Sequence, residues 1–286
     1  MADVTPEPAN VYDDRTTEAV KSVLVEIGQT LGSFEGKFAV IGGTVPWLRL
    51  NNQNMRHVGS IDVDLGLEAE ALGDCEYVSL IEALKVQGYH KQQGSKRFQL
   101  VRTVPAHDGG PPIDVVVDFL MPRHVEIVKN DPPILDDFAV QRADGADLAV
   151  PYAQPVTIEG TMPGGGINRV EIAVCSIPAL LAMKGYAVAN RAKQKDAYDI
   201  YYCVRNYPGG PEALAAACRP MLDEKSAQEG YACIAEKFTT VEHTGPVWVR
   251  QFAEGQGILE DRTPEQWQQD AFGQVDAWLR ALGLRS

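Results

Sequence analysis

Asp62 and Asp64 stand inside an apolar run, SIDVDLGL at 60–67. Ile61, Val63 and Leu65 alternate with them, so the run reads as a strand that sends both carboxylates to one face. Residues two apart on a strand have Cα atoms roughly 6.5 to 7 Å apart at about 3.3 Å per residue. Carboxylates so spaced suit one Mg²⁺ or a pair of ions, with Mn²⁺ as an alternative, because paired metals lie about 3.5–4 Å apart. Earlier in the chain, FAVIGGT at 38–44 sets Gly42-Gly43-Thr44 directly after a short apolar run. Two glycines between a strand and a helix let the backbone approach a phosphate, and the N–H groups of the helix start face it. Together the two segments supply both halves of a site for a metal-bound nucleoside triphosphate.

Phosphoryl chemistry on a hydroxyl acceptor calls for a third carboxylate, as metal ligand and as base. PIDVVVDFL at 112–120 offers Asp114 and Asp118, four apart and therefore on one strand face. Asp118, between Val117 and Phe119, is favoured over Asp114, since a charge in that apolar setting is costly unless paired or metal-bound. A cation for the triphosphate and the departing pyrophosphate is sought in MKGYAVANRAKQKDAYDIYYC at 183–203. Lys184 is the candidate, the alternative being a lysine that snorkels to the surface. Asp196 and Asp199 share a helix face; they either orient Lys184 or Arg191, or pair with Lys193 and Lys195 at the surface. Lys184, Arg191, Lys193, Lys195 and Arg205 form the densest basic segment of an acidic chain, and a nucleic-acid or phosphate contact is expected there.

Other chemistries find no support. The five histidines (His57, His90, His107, His124, His243) show no metal-ligand spacing and are given no role. There is no G-x-S-x-G, Walker loop or G-x-G-x-x-G. MPGGGIN at 162–168 reads as a flexible loop rather than a phosphate cradle.

The elements that must position these groups follow from periodicity. Val20, Val23, Leu24, Ile27 and Leu31 predict a helix over 16–32, and KFAVI a short buried strand. Thr44 is read as the cap of a helix that tolerates Pro46 in its first turn. EYVSLIEALKVQGY predicts a helix ended by Gly88, and KRFQLVRTV and PPIDVVVDFL two strands joined like a hairpin. Strands near PVTIEGT and NRVEIAV follow. From Ser176 the pattern turns helical, with helices to about Asn190, over 194–206, and later over PEQWQQDAFGQVDAWLRAL. The expected organisation is a poorly ordered stretch at 1–15, an α/β (α+β) domain with a small mixed sheet at 16–175, and a helical domain at 176–286 that contributes Lys184.

With 286 residues, 45% apolar and 23% charged, the chain is long enough for two ordinary globular domains. No run is long enough for a membrane span, and the start lacks a signal pattern. Five scattered cysteines without a C-x-x-C pair point to reduced thiols in a cytoplasm. A net charge of −13 disfavours loose polyanion binding, so a nucleic-acid partner needs a local basic patch.

IGGTVPWLRL, SIDVDLGL and LLAMKGYAVANRAKQKDAYDIYYC together resemble the AbiEii/AbiGii-type nucleotidyltransferases, relatives of the DNA polymerase β-like superfamily. That family shows G-G-T or G-S, then S-x-D-x-D, then a lysine-bearing helix with R-x-K-x-K-D-x-x-D. Gly42, Gly43, Thr44, Ser60, Asp62, Asp64, Lys184, Arg191, Lys193, Lys195, Asp196 and Asp199 fill those places, and the likeness covers roughly 20–205. The chain departs from it at Val58, where members usually carry arginine. The resemblance implies a nucleotidyltransferase fold and transfer of a nucleotide from an NTP, with Asp62, Asp64, Asp118 and Lys184 catalytic. Gly42, Gly43, Thr44, Ser60, Asp196 and Asp199 would serve the nucleotide. In several relatives the protein is the toxin of a type IV toxin–antitoxin or phage-defence pair, which implies a cognate antitoxin, and tRNA is an acceptor. The rivals are a transferase acting on a small molecule such as an aminoglycoside and a non-catalytic nucleotide-binding module.

Overall fold

A computed structural model describes residues 12–50, 55–68, 76–106, 108–124 and 140–285. Of the stretch expected to be poorly ordered, 1–11 lies outside these residues, whereas Asp14 and Arg15 already belong to a helix. The chain divides into two compact units: 12–45 with 58–176, and 46–57 with 177–285. The second unit thus takes a short segment from between the two motif-bearing strands, which periodicity alone does not reveal.

The first unit is a mixed sheet under a long helix. Helix α1 (Asp14–Thr30) starts where Asp13 accepts from the Thr16 N–H at 2.6 Å. Strands β1 (Phe38–Ile41), β2 (Asp62–Leu67), β3 (Gln99–Val104), β4 (Ile113–Pro122), β5 (Gln141–Ala143), β6 (Ala153–Thr161) and β7 (Ile167–Cys175) lie in the order β3-β4-β2-β1-β7-β6, with β5 on β4. β1 runs antiparallel to β2 and parallel to β7, and β2 runs parallel to β4. Strand β5 is an addition to the expected set; three residues carry too little pattern to announce a strand. The short helix α2 (Thr44–Arg49), whose residues from Pro46 on belong to the second unit, follows β1, and α3 (Glu76–Val86) ends before Gly88, whose φ is +93°. MPGGGIN forms the tip of the β6–β7 hairpin, where the Met162 N–H donates to Gly166 and the Gly165 N–H to Met162.

Period-two burial makes the two sheet faces unlike. Val63, Leu65, Val115, Val117 and Phe119 are sealed on one side. Helix α1 covers that side: its Glu26 takes a two-pronged pair from Arg102, Nε to Oε2 at 2.8 Å and Nη2 to Oε1 at 2.9 Å, and Arg102 pairs in register with Val115. Asp62, Asp64 and Asp118 leave the strands on the opposite side and are half-buried.

The second unit is helical: α4 (Ile177–Asn190), α5 (Gln194–Asn206), α6 (Gly210–Cys218), α7 (Lys225–Lys237), α8 (Thr244–Gln256) and α9 (Pro264–Leu282). α4 and α7 cross at glycines. A Cβ on Gly185 would sit 1.8 Å from the Gly230 carbonyl oxygen, so only glycine lets the backbones meet. Tyr198, Tyr202, Tyr231, Trp267 and Trp278 fill the core. α9 begins with a capping box between Thr263 and Gln266. Among the described residues no helix is long and apolar enough to cross a membrane.

Candidate active site

The sheet register gathers three of the predicted residues. Asp64 pairs with Ile41 of β1 on one side and with Asp118 of β4 on the other. Paired residues of neighbouring strands point to the same face, so Asp64 and Asp118 stand side by side, one strand spacing of about 4.8 Å apart in backbone. Asp62 lies two residues along on the same face, opposite Val116. Asp114 shares the face but is occupied elsewhere: Thr103 Oγ1 donates to it at 2.6 Å and Gln92 Nε2 at 3.0 Å. Of the two, Asp118 is the one that stands beside Asp64.

The glycine turn closes onto the same spot. Gly42 has φ +74°, and a Cβ there would lie 1.8 Å from Asp64 Oδ2. The turn is held by the Val45 N–H donating to the Gly42 carbonyl at 3.3 Å. Thr44 differs from its expected capping role. Its hydroxyl donates back to the Ile41 carbonyl at 3.2 Å, and it is the first helical residue. α2 has only six residues, so its dipole offers a phosphate little; the glycine backbone is the part of this turn that can approach one. Ser60 is buried and donates to Asp62 Oδ1 at 2.9 Å, which fixes that carboxylate.

Among the described residues, no three His, Cys, Asp or Glu side chains are grouped closely enough to hold a metal unaided. Mg²⁺ does not require such a cage, since it keeps several waters and is bound by one or two carboxylates plus substrate phosphates. The donor set on this face, two or three acids beside a turn with no side chain in the way, fits that mode.

The basic segment builds a different structure, inside the helical unit. Lys184 is 6% exposed, and its Nζ donates to Asp196 Oδ1 at 2.8 Å and pairs with Asp199 Oδ2 at 2.6 Å. Arg191 grips Asp196 with Nε at 2.7 Å and Nη2 at 2.9 Å. Lys195 Nζ donates to Asp199 at 2.9 and 3.2 Å. His57, to which spacing assigns no part, places Nε2 3.0 Å from Asp199 Oδ1. The aspartates thus stand behind the cations, fully buried, rather than pairing at the surface. Burial would pull the Lys184 ammonium down, but Asp196 and Asp199 outweigh it and hold it above the usual lysine range. Burial would raise Asp199, and Lys184 and Lys195 instead hold it well below the usual carboxylate range. Lys195 stays below the ordinary lysine value because burial exceeds the help from Asp199.

This placement narrows the expected acceptor surface. Lys195 is 3% exposed and spent on Asp199, and Arg205 is turned to Asp270. The Arg191 side chain is 57% exposed although it holds Asp196, while Lys193 is half-buried. No sequence pattern marks which lysine of R-x-K-x-K turns inward; the helix phase decides it, since Lys195 and Asp199 are i and i+4.

The family model described as nucleotidyl transferase AbiEii toxin, type IV TA system, matches residues 29–276. The chain belongs to the AbiEii family. It is accordingly a nucleotidyltransferase of the type IV toxin class, and that family implies an antitoxin partner. A solved structure, an antigenic nucleotidyltransferase-like protein from Paracoccidioides brasiliensis, is similar at 16% identity and a TM-score of 0.44, over 77% of this chain and 89% of that one. No curated protein matches the sequence. The AbiEii match spans both the carboxylate strands and the buried lysine network.

Proposed function

We propose that this AbiEii protein moves a nucleotide from a nucleoside triphosphate to a hydroxyl of RNA, tRNA being the favoured acceptor, with a divalent metal at its carboxylates. The observation that carries the reading is the row Gly42, Asp64, Asp118: a turn kept bare of side chain against two acids in register. Asp62 and Asp64 would hold Mg²⁺, Ser60 keeping Asp62 in place, with Asp118 as the third acid. Bound there, the metal would neutralise charge on the triphosphate. Asp118 takes the proton of the acceptor hydroxyl as its oxygen attacks the α-phosphorus. The bond from that phosphorus to the bridging oxygen breaks, and pyrophosphate leaves with the electron pair. Lys184 would balance the charge on that leaving group, and Asp196 and Asp199 would hold Lys184.

The acceptor is tested by incubating the protein with each labelled NTP, magnesium and total tRNA beside an aminoglycoside arm. Label on RNA is expected. Label on the cationic small molecule alone would favour the rival that the chain's net charge of −13 invites. Lys193→Gln should then raise the KM for RNA and lower the slope of log K against log salt by roughly 0.7 to 0.9 for each phosphate it no longer neutralises. An unchanged slope removes the basic segment from acceptor binding.

A further inference from the structure

Asp199 receives three donors from three parts of the helical unit. Its Oδ1 takes Lys195 Nζ at 2.9 Å and His57 Nε2 at 3.0 Å, and its Oδ2 pairs with Lys184 Nζ at 2.6 Å. His57 is the one donor that brings no charge. It comes from the segment 46–57 and is seated on α5, its ring 4.6 Å from Tyr202 in an edge-on contact and 5.5 Å from Tyr198. The same stripe of α5 holds the segment at further points. Tyr202 Oη donates to the Met55 carbonyl at 3.0 Å, and Asn206 Nδ2 lies 3.6 Å from Met55 Sδ. Asp199, Tyr202 and Asn206 are spaced i, i+3, i+7, a single helix face.

We infer that His57 is a positioning residue for Lys184, holding Asp199 in the orientation that presents its second oxygen to the lysine ammonium. The inference rests on the role given to Lys184 above. An ionised carboxylate only accepts, so an imidazole facing one must present an N–H, here on Nε2. That donor fixes the rotation of the carboxylate about its Cβ–Cγ bond. Lys195 cannot do this alone, because its ammonium reaches both oxygens and is satisfied by either rotation. The charged groups facing the imidazole are Asp199 and Lys195 of α5 and Lys184 of α4; burial first, and then those lysines against the help of Asp199, bring His57 down to about 4, so the neutral donor persists through the neutral range. A packing residue would need only the ring, whereas a positioning residue needs the N–H.

His57→Gln and His57→Met separate the two, since both chains are of similar length and only glutamine retains a donor near the Nε2 position. Each is measured for kcat and for the KM of the NTP, beside wild type and Lys184→Ala. His57→Met should lose at least about tenfold in kcat with a smaller change in KM, and His57→Gln should stay within about threefold of wild type. Equal activity of the two variants, high or low, while wild type turns over and Lys184→Ala does not, overturns the positioning role and leaves the functional reading standing. Full activity of Lys184→Ala would instead remove the role of Lys184, and this inference with it. If His57→Met does not fold, the comparison passes to His57→Phe, which keeps an aromatic ring between the tyrosines without the donor; activity equal to His57→Gln again overturns the proposal.

Discussion

Gly42 and Asp64 are in contact as backbone and carboxylate, so close that a Cβ on Gly42 would fall 1.8 Å from Asp64 Oδ2. The turn and the acid strand therefore touch, and a side chain at 42 would displace the carboxylate. Gly42→Ala should lose at least about tenfold in turnover, and the left-handed backbone should cost it about 1–3 kcal/mol of stability. Gly94→Ala is the control: its φ is +87°, yet nothing lies within 4 Å of a Cβ there, so it should cost stability alone. Denaturant unfolding beside a turnover assay checks both.

Asp118 and Asp114 sit on one face of one strand, and register tells them apart. Asp118→Asn should lower kcat by about 10²–10⁴, the usual worth of a general base. Asp114→Asn should stay within a few-fold, since Asp114 is tied to Thr103 and Gln92. Steady-state kinetics of the pair decides between the two acids.

Strand SIDVDLGL, both hairpin strands and the helices after Ser176 were legible because each repeats its period over enough residues. The carboxylate row was legible only in part. Alternation shows that Asp62 and Asp64 share a face, but the neighbour of Asp64 depends on β2 pairing with β4, a non-local choice that no single segment states. His57 was invisible for a related reason: its partner Asp199 lies 142 positions away, and a lone histidine has no spacing to read. The same holds for Lys195, which looks like a surface cation until the helix phase turns it inward.

Lys184 is paired to two buried aspartates, so its removal has two costs. Lys184→Ala should lower kcat by at least about a hundredfold and stability by about 3 kcal/mol, because two desolvated carboxylates lose a shared cation while Arg191 and Lys195 remain. Lys184→Arg should recover little of the rate, since a planar fork is not the same point charge. Loss of stability with unchanged kcat would make Lys184 a packing residue.

Acid should expose His57. Burial lowers its pKa from 6.5 to about 4. Below pH 6.5 the unfolded chain takes up a proton that the folded imidazole refuses, so stability present above 6.5 is lost as pH falls to about 4, by on the order of 3 kcal/mol. His57→Gln lacks that loss. The stability of wild type minus that of His57→Gln should fall by that amount across this window; parallel curves would contradict a buried neutral imidazole.

Nucleotide transfer is proposed to take place at the carboxylate face of the sheet. It is tested most directly by following label from α-³²P-labelled NTP to the acceptor, with magnesium, for wild type, Asp62→Ala and Asp64→Ala. Transfer by wild type and none by either variant, both remaining folded by circular dichroism, is the predicted result. Transfer by either variant within about tenfold of wild type, roughly 1.4 kcal/mol of barrier, would contradict it.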